Sequence, residues 1–242
     1  MERKKIAVAT INGSERRKFL KMSGLGLAGA TLFYACEKSQ TDEMPDLDMD
    51  GPFDLGEGDL GVLNYAYALE QLEAEFYTRV VNGSYWSGAA AEEKNVLQAL
   101  YNHEVNHREF FKAALTANFD GDVVLPENLE FDFNSVDFNN RDSVLTTAQL
   151  LEDTGVQAYN GAGKLIQTGA YLVIAGKIVS VEARHAAAIR SIRGGDMDDF
   201  ALFAGDDIVD PTTGLDKAEN PSVILAAAGG FIVTPFTANK LP

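Results

Sequence analysis

The chain has 242 residues, 46% of them hydrophobic, which is enough for one sizeable core and excludes disorder of the whole. Its formal net charge of −16 hides an asymmetry: residues 1–35 carry seven Lys/Arg and two Asp/Glu, so the remainder holds 13 basic (20 less 7) against 34 acidic residues (36 less 2), net −21. A body that acidic repels nucleic-acid backbones and anionic lipid surfaces and attracts cations, which argues against nucleic acid as a partner.

Residues 1–35 have the pattern of an export signal. Ser14-Glu15-Arg16-Arg17-Lys18-Phe19-Leu20-Lys21 places twin arginines, Arg16 and Arg17, ahead of an apolar, glycine-rich run from Gly24 to Ala35. That run is too short to span a bilayer and suits the core of a twin-arginine signal peptide. It ends at Ala35-Cys36, and Cys36 is the only cysteine. A small residue before a single cysteine resembles a lipoprotein box, so lipid attachment to the Cys36 sulfur is expected, although Phe33 and Tyr34 are bulkier than usual there. The protein is therefore expected to be periplasmic or a membrane-anchored lipoprotein, touching the membrane only through its lipid. A lone cysteine makes no internal disulfide, so the fold must be held by packing. Residues 36–57, acidic and punctuated by Pro45, Gly51, Pro52 and Gly56, are expected to form a flexible tether.

Four long helices are expected within residues 58–195. The first, about Leu60 to Val81, spaces Leu63, Ala66, Leu69, Leu72 and Phe76 helically and stops at Asn82-Gly83. A short turn leads to the second, about Ala90 to Thr116. Some two dozen residues, Ala117 to Arg141, then form a connection long enough to travel the length of a bundle. The third helix, about Ser143 to Thr168, is expected to be capped by Asp142 or Ser143. The fourth, about Ala170 to Arg193, ends at Gly194-Gly195, with Arg190 and Arg193 suited to the negative end of its dipole. Residues 196–242 are expected to pack on the bundle as a loop and short helix, around the apolar run Val223 to Ile232.

The chemistry-bearing residues repeat. Glu104 and His107 on the second helix, and Glu182 and His185 on the fourth, are Glu-x-x-His pairs, and residues at i and i+3 share one helical face. Each pair follows a helix carrying a Glu with a Tyr seven residues later: Glu70 and Tyr77, then Glu152 and Tyr159. From lone Glu to paired Glu the spacing is 34 residues in the first half and 30 in the second. An internal two-fold arrangement of this kind is what an all-α four-helix bundle with a central dinuclear metal site requires. Glu73 rivals Glu70 on the first helix and is expected to be an outer carboxylate, while Glu75 and Asp153 should be solvated. His103 projects about 100° from Glu104 and is expected on the surface or in the core. Tyr77 and Tyr159 are expected to hold ligand carboxylates by their hydroxyls.

On these motifs the chain resembles the ferritin-like di-iron carboxylate proteins, in particular exported bacterial ferritin-like proteins related to desiccation-associated proteins. The resemblance covers about residues 58–195. It implies a bundle with one long crossover between helices 2 and 3, followed by an irregular C-terminal tail, and it assigns Glu70, Glu104, His107, Glu152, Glu182 and His185 as metal ligands. Four carboxylates and two imidazoles suit two ions of iron, or else manganese, and offer no thiolate to select zinc or copper(I). The implied partners are O₂ or peroxide. An oxidase, ferroxidase or peroxidase-like activity is one expectation. A non-catalytic metal binder, or a structural and desiccation-protective bundle, is the other.

Overall fold

The computed structural model of the chain describes residues 51–194 and 201–242. Arg16, Arg17 and Cys36 lie outside the described residues. Four long helices form the body: α1 Gly58–Asn82, α2 Ala91–Asn118, α3 Arg141–Ala162 and α4 Gly169–Gly194. A shorter helix, α5 Pro221–Ala228, follows in the C-terminal segment, and a two-stranded parallel pair joins β1 Phe53–Asp54 to β2 Phe236–Thr237. No helix among the described residues is long and apolar enough to cross a membrane. The architecture is an all-α bundle in which α1 packs chiefly on α2, and α3 on α4.

The helices differ in how much of their surface is covered. Seventeen of the 25 residues of α1 are buried, so it behaves as a central helix, apolar nearly all round. In α2 burial is confined to Leu97, Leu100, Glu104, Phe111 and Leu115. Their spacing is that of one stripe along a helix, and Glu104 lies within it. The outer flank of α1 is covered by the connection between α2 and α3. Two buried amides seven residues apart on α1 fasten that connection. Asn64 donates from Nδ2 to the carbonyls of Leu55 and Val123 (3.0 and 2.9 Å) and accepts the Leu125 N–H at Oδ1. Gln71 donates to the Pro126 carbonyl (3.0 Å) and accepts the Leu129 N–H. Neither amide is left unpaired, which removes the desolvation penalty of burying it. Phe133 in the connection then packs against Phe76, Phe131, Phe138 and Phe231.

Several expectations are corrected. The tether expected over 36–57 ends sooner: Phe53 and Leu55 are buried and β1 pairs with β2, because two apolar residues among the acidic ones find cover against the returning C-terminus. The cap of α3 is Asn140, whose Oδ1 accepts the Ser143 N–H at 3.1 Å; Ser143 is the donor, and Asp142 lies within the first turn. That helix stops at Ala162 and tightens into a 3₁₀ turn, Gly163–Leu165. Asp59 then accepts the N–H groups of Gln167 and Thr168, which sets the start of α4. Arg190 does not sit at a solvated helix end. It is buried and paired with Asp153 (2.5 and 3.0 Å) and with Asp207 (2.7 and 3.2 Å), so Asp153 is an ion-pair partner rather than a solvated charge. Arg193 donates instead to Gln149.

The C-terminal segment is also tied to α3 directly. Glu219 donates its N–H to the Gln157 carbonyl at 3.1 Å, and it crosses so closely that a Cβ on Gly161 would fall 1.6 Å from the Glu219 carbonyl oxygen. Gly161→Ala is therefore expected to push the segment off α3 and lower unfolding free energy by about 1–3 kcal/mol, measured by denaturant titration. An unchanged midpoint would show that the segment contributes nothing there.

Candidate metal centre

The six side chains singled out by the sequence come from all four long helices and meet in one place. Glu70, Glu104, Glu152 and Glu182 are wholly buried, and His185 nearly so. His107 Nδ1 lies 3.0 Å from Glu182 Oε1, 3.2 Å from Glu104 Oε2 and 3.4 Å from Glu70 Oε2. On the other side, His185 Nδ1 lies 2.8 Å from Glu104 Oε1, 3.2 Å from Glu152 Oε2 and 3.7 Å from Glu182 Oε2. Two four-residue groups that could hold a metal ion result: Glu70, Glu104, His107 and Glu182, and Glu104, Glu152, Glu182 and His185. Glu104 and Glu182 belong to both.

Whether these groups fit cations is decided by their orphaned atoms. Glu70 Oε2, Glu104 Oε1, Glu152 Oε2, both Glu182 oxygens and His185 Nδ1 are buried without a hydrogen-bond partner. Some approach one another within hydrogen-bond distance, yet they do not aim at one another. Buried polar atoms are nearly always paired, so six orphans converging in one small volume point to something that accepts their lone pairs. A divalent cation does so, and oxygen and imidazole donors together suit iron or manganese.

Electrostatics agree. Burial and the neighbouring Glu182 charge raise Glu152 to about 7, with His185 and Tyr77 opposing. Burial raises Glu70, and burial with the Glu182 charge carries Glu104 well up. Glu182 alone is lowered, because the two histidines close beside it outweigh its burial. Burial pulls His107 and His185 down, but the surrounding carboxylates overcome this and hold both well above the usual imidazole range. Without cations the cluster must keep protons as a unit.

A second layer of side chains fixes the six. The tyrosines cross over: Tyr77 of α1 donates to Glu152 Oε1 of α3 at 2.5 Å, while the Tyr159 hydroxyl of α3 donates to Glu70 Oε1 of α1. Burial and the adjacent carboxylates hold both phenols well above their ordinary value, so they remain donors. Glu73 lies outside both four-residue groups. It is buried on the flank of Gly155, where a Cβ would sit 3.2 Å from Glu73 Oε1 and 3.5 Å from Glu182 Oε2. Burial, with Glu182 the largest of four nearby charges, raises Glu73 well above the usual carboxyl range. Glu75 pairs with Arg79 at the surface.

Sequence reasoning missed two members of this layer. His103 is exposed, as its helical angle suggests, but its Nδ1 lies 2.8 Å from His185 Nε2. The two rings are nearly parallel at 16° with centroids 5.1 Å apart, which suits an edge-to-edge bond. A histidine facing carboxylates through one ring nitrogen commonly has its other nitrogen fixed in this way. The available signal is His103-x-x-x-His107, one helical turn apart. Gly155 gave a fainter signal as a glycine in a helix interior, where glycine costs stability unless space demands it.

The sign of the pH dependence follows. Glu152 and Glu104 have raised values in the folded state, so their contribution to apoprotein stability is present below about 4.5, their ordinary value, and is lost as pH rises through the folded ones, about 7 for Glu152. Glu182 runs the other way and loses its contribution only in strong acid. Cations would displace the retained protons. The rise in Tm caused by Mn(II) should therefore grow from about pH 5.5 to about pH 8, as measured by paired melts of metal-free and metal-treated protein. A shift that is the same at every pH would mean that the ions bind elsewhere.

Comparison with known proteins agrees with this geometry. No protein with a curated description matches the chain. The family model described as a ferritin-like domain matches residues 58–195, the stretch that supplies all four long helices and every residue of the cluster. The chain belongs to the ferritin-like domain family.

Proposed function

We propose that this protein carries two metal ions, iron or else manganese, and acts as an oxidase, ferroxidase or peroxidase-like scavenger after export by the twin-arginine route. The observation that carries the reading is the sharing of Glu104 and Glu182 between two buried four-residue groups. Two adjacent ions that change oxidation state would supply a two-electron exchange with O₂ or peroxide. The chain's own residues do the rest. Glu70 with His107, and Glu152 with His185, would each hold one end of the site. Tyr77 and Tyr159 orient Glu152 and Glu70, leaving their other oxygens free for an ion. His103 orients the His185 ring through the contact between their nitrogens. Near-complete burial of the carboxylates excludes bulk water.

The reading of a structural or desiccation-protective bundle gains less support. Replacing a buried ionic cluster with apolar side chains is often neutral or stabilising, and here Glu70, Glu104, Glu152, Glu182 and His185 are retained together in the interior. Mature wild-type protein is expected to bind about two Fe(II) per chain and, on exposure to air, to develop near-ultraviolet absorption within the mixing time. Glu104→Gln and Glu182→Gln should each slow that change by at least about 100-fold. Bound metal without oxidation would leave a metal binder; absence of metal in wild type, with no effect of either substitution, would leave the structural bundle. Replacing Arg16 and Arg17 by Lys should keep the protein in the cytoplasm. Cys36→Ser should release it from the membrane fraction.

A further inference from the structure

A carboxylate buried with nothing to balance it is costly, and the bundle contains one that the metal-ligand cluster does not absorb. Glu73 of α1 is 3% exposed and belongs to neither four-residue group. Burial and the charges of neighbouring carboxylates act on it, and no group among the described residues donates a hydrogen bond to it. Its oxygens are nevertheless not sealed in, as the orphaned oxygens of Glu70, Glu152 and Glu182 are. Glu73 lines a void of about 10 Å³ between α1, α3 and α5, together with Thr154 and Gly155. That is room for about one water molecule. Exposed Leu150 and Ala227 stand at its outer rim.

A second, independent observation is the side chain missing from the inner wall. A Cβ on Gly155 would lie 3.2 Å from Glu73 Oε1 and 3.5 Å from Glu182 Oε2, so one methyl group would fill the gap beside both carboxylates. Glycine in a helix interior lowers stability relative to alanine, and here it leaves that gap open. Glu182 belongs to both four-residue groups and both of its oxygens are orphaned. The void is too narrow for a cation with its full shell of water, so an ion crossing it must exchange water for protein oxygens. Glu73 offers such oxygens outside Gly155, and Glu182 inside it. The approach beside exposed His103 is less suited to a cation, because the Arg184 charge and two imidazoles act there. Glu73 is the one charged residue lining the void.

We propose that Glu73 is a transit carboxylate for divalent cations: an ion enters between Leu150 and Ala227, is held by Glu73, and passes beside Gly155 to Glu182. The inference rests on the reading of the cluster as a metal centre and adds the path by which it fills. A group that holds an ion only in passage changes the rates of arrival and departure by the same factor and leaves the equilibrium alone.

The test is stopped-flow uptake of Mn(II) by the metal-free mature chain, read by competition with a fluorescent chelator. Release is measured by mixing loaded protein with excess chelator, and Kd by calorimetry. Wild type is expected to take up about two ions. Glu73→Gln and Gly155→Ala should each slow uptake and release alike, by at least about tenfold, with little change in Kd or in the number of ions. Glu73→Asp should recover most of the rate. At the exposed rim, where folding is not at stake, Leu150→Lys and Ala227→Lys should slow uptake several-fold. Leu150→Glu and Ala227→Glu should quicken it, and about 1 M salt should abolish these differences. Arg184→Glu should leave the rate as it was. An unchanged uptake rate in Glu73→Gln, a loss confined to Kd, or a response at Arg184 and not at the rim would overturn the route and leave the metal centre standing. Failure of wild type to take up Mn(II) at all would overturn both.

Discussion

Four carboxylates buried within a few ångströms of one another dominate this structure. Taking one carboxylate out of water costs several kcal/mol even after relaxation, and mutual repulsion adds to that for every further one. Protons and the two imidazoles can offset part of the cost, at the expense of a carboxyl cluster that titrates across the neutral range. Two divalent cations would balance four negative charges and satisfy the orphaned lone pairs together. Tyr77 and Tyr159 hold two of the four carboxylates in place by hydrogen bonds.

The surrounding architecture shows how that is done. α1 is covered on almost every side, so Glu70 cannot swing outward to find water, and the amides Asn64 and Gln71 on its outer flank are satisfied by the connection that covers them. The tyrosines bond across the bundle instead of along their own helices. Each therefore ties one half of the repeat to the other, and α1 cannot slide against α3 without breaking two hydrogen bonds to buried carboxylates. The Arg190 bridge to Asp153 and Asp207 does the same for α3, α4 and the C-terminal segment. Rigidity of this kind matters because ligand groups must be held in place before ions arrive.

What could be read from the sequence was whatever repeats with the helical period. The two Glu-x-x-His pairs and the Glu-to-Tyr spacing of seven residues identify faces, and faces within four helices suffice to bring six side chains together. Partners that lie far apart in the chain leave no such trace. Asp153 looks like any solvated acid until Arg190, 37 residues later, is found buried against it. His103 lies at the surface as its helical angle suggests, but its contact with His185 leaves no local trace, because a helical angle tells where a Cβ points and not how far an imidazole on the neighbouring helix reaches. The ends of α3 escaped for the same reason: Asn140 caps it locally, but its C-terminal limit coincides with contacts from Asp59 and the crossing at Glu219. Phe53 and Leu55 appeared to belong to an acidic tether because nothing local shows that residues 236–237 return to meet them.

The two flanks of the centre differ in chemistry, and this difference bears on how it can work. On one flank the exposed His103 contacts His185, so the interior is joined to solvent through a polar, proton-bearing pair of rings. On another, Tyr159 separates Glu70 from an apolar cavity that water has little reason to enter. A centre reached by one polar side and one dry side can exchange protons with solvent without flooding the apolar space. The cavity could be closed by larger side chains, and buried acids cost stability unless something compensates their charge, so the contrast between the two flanks is kept at a cost to packing.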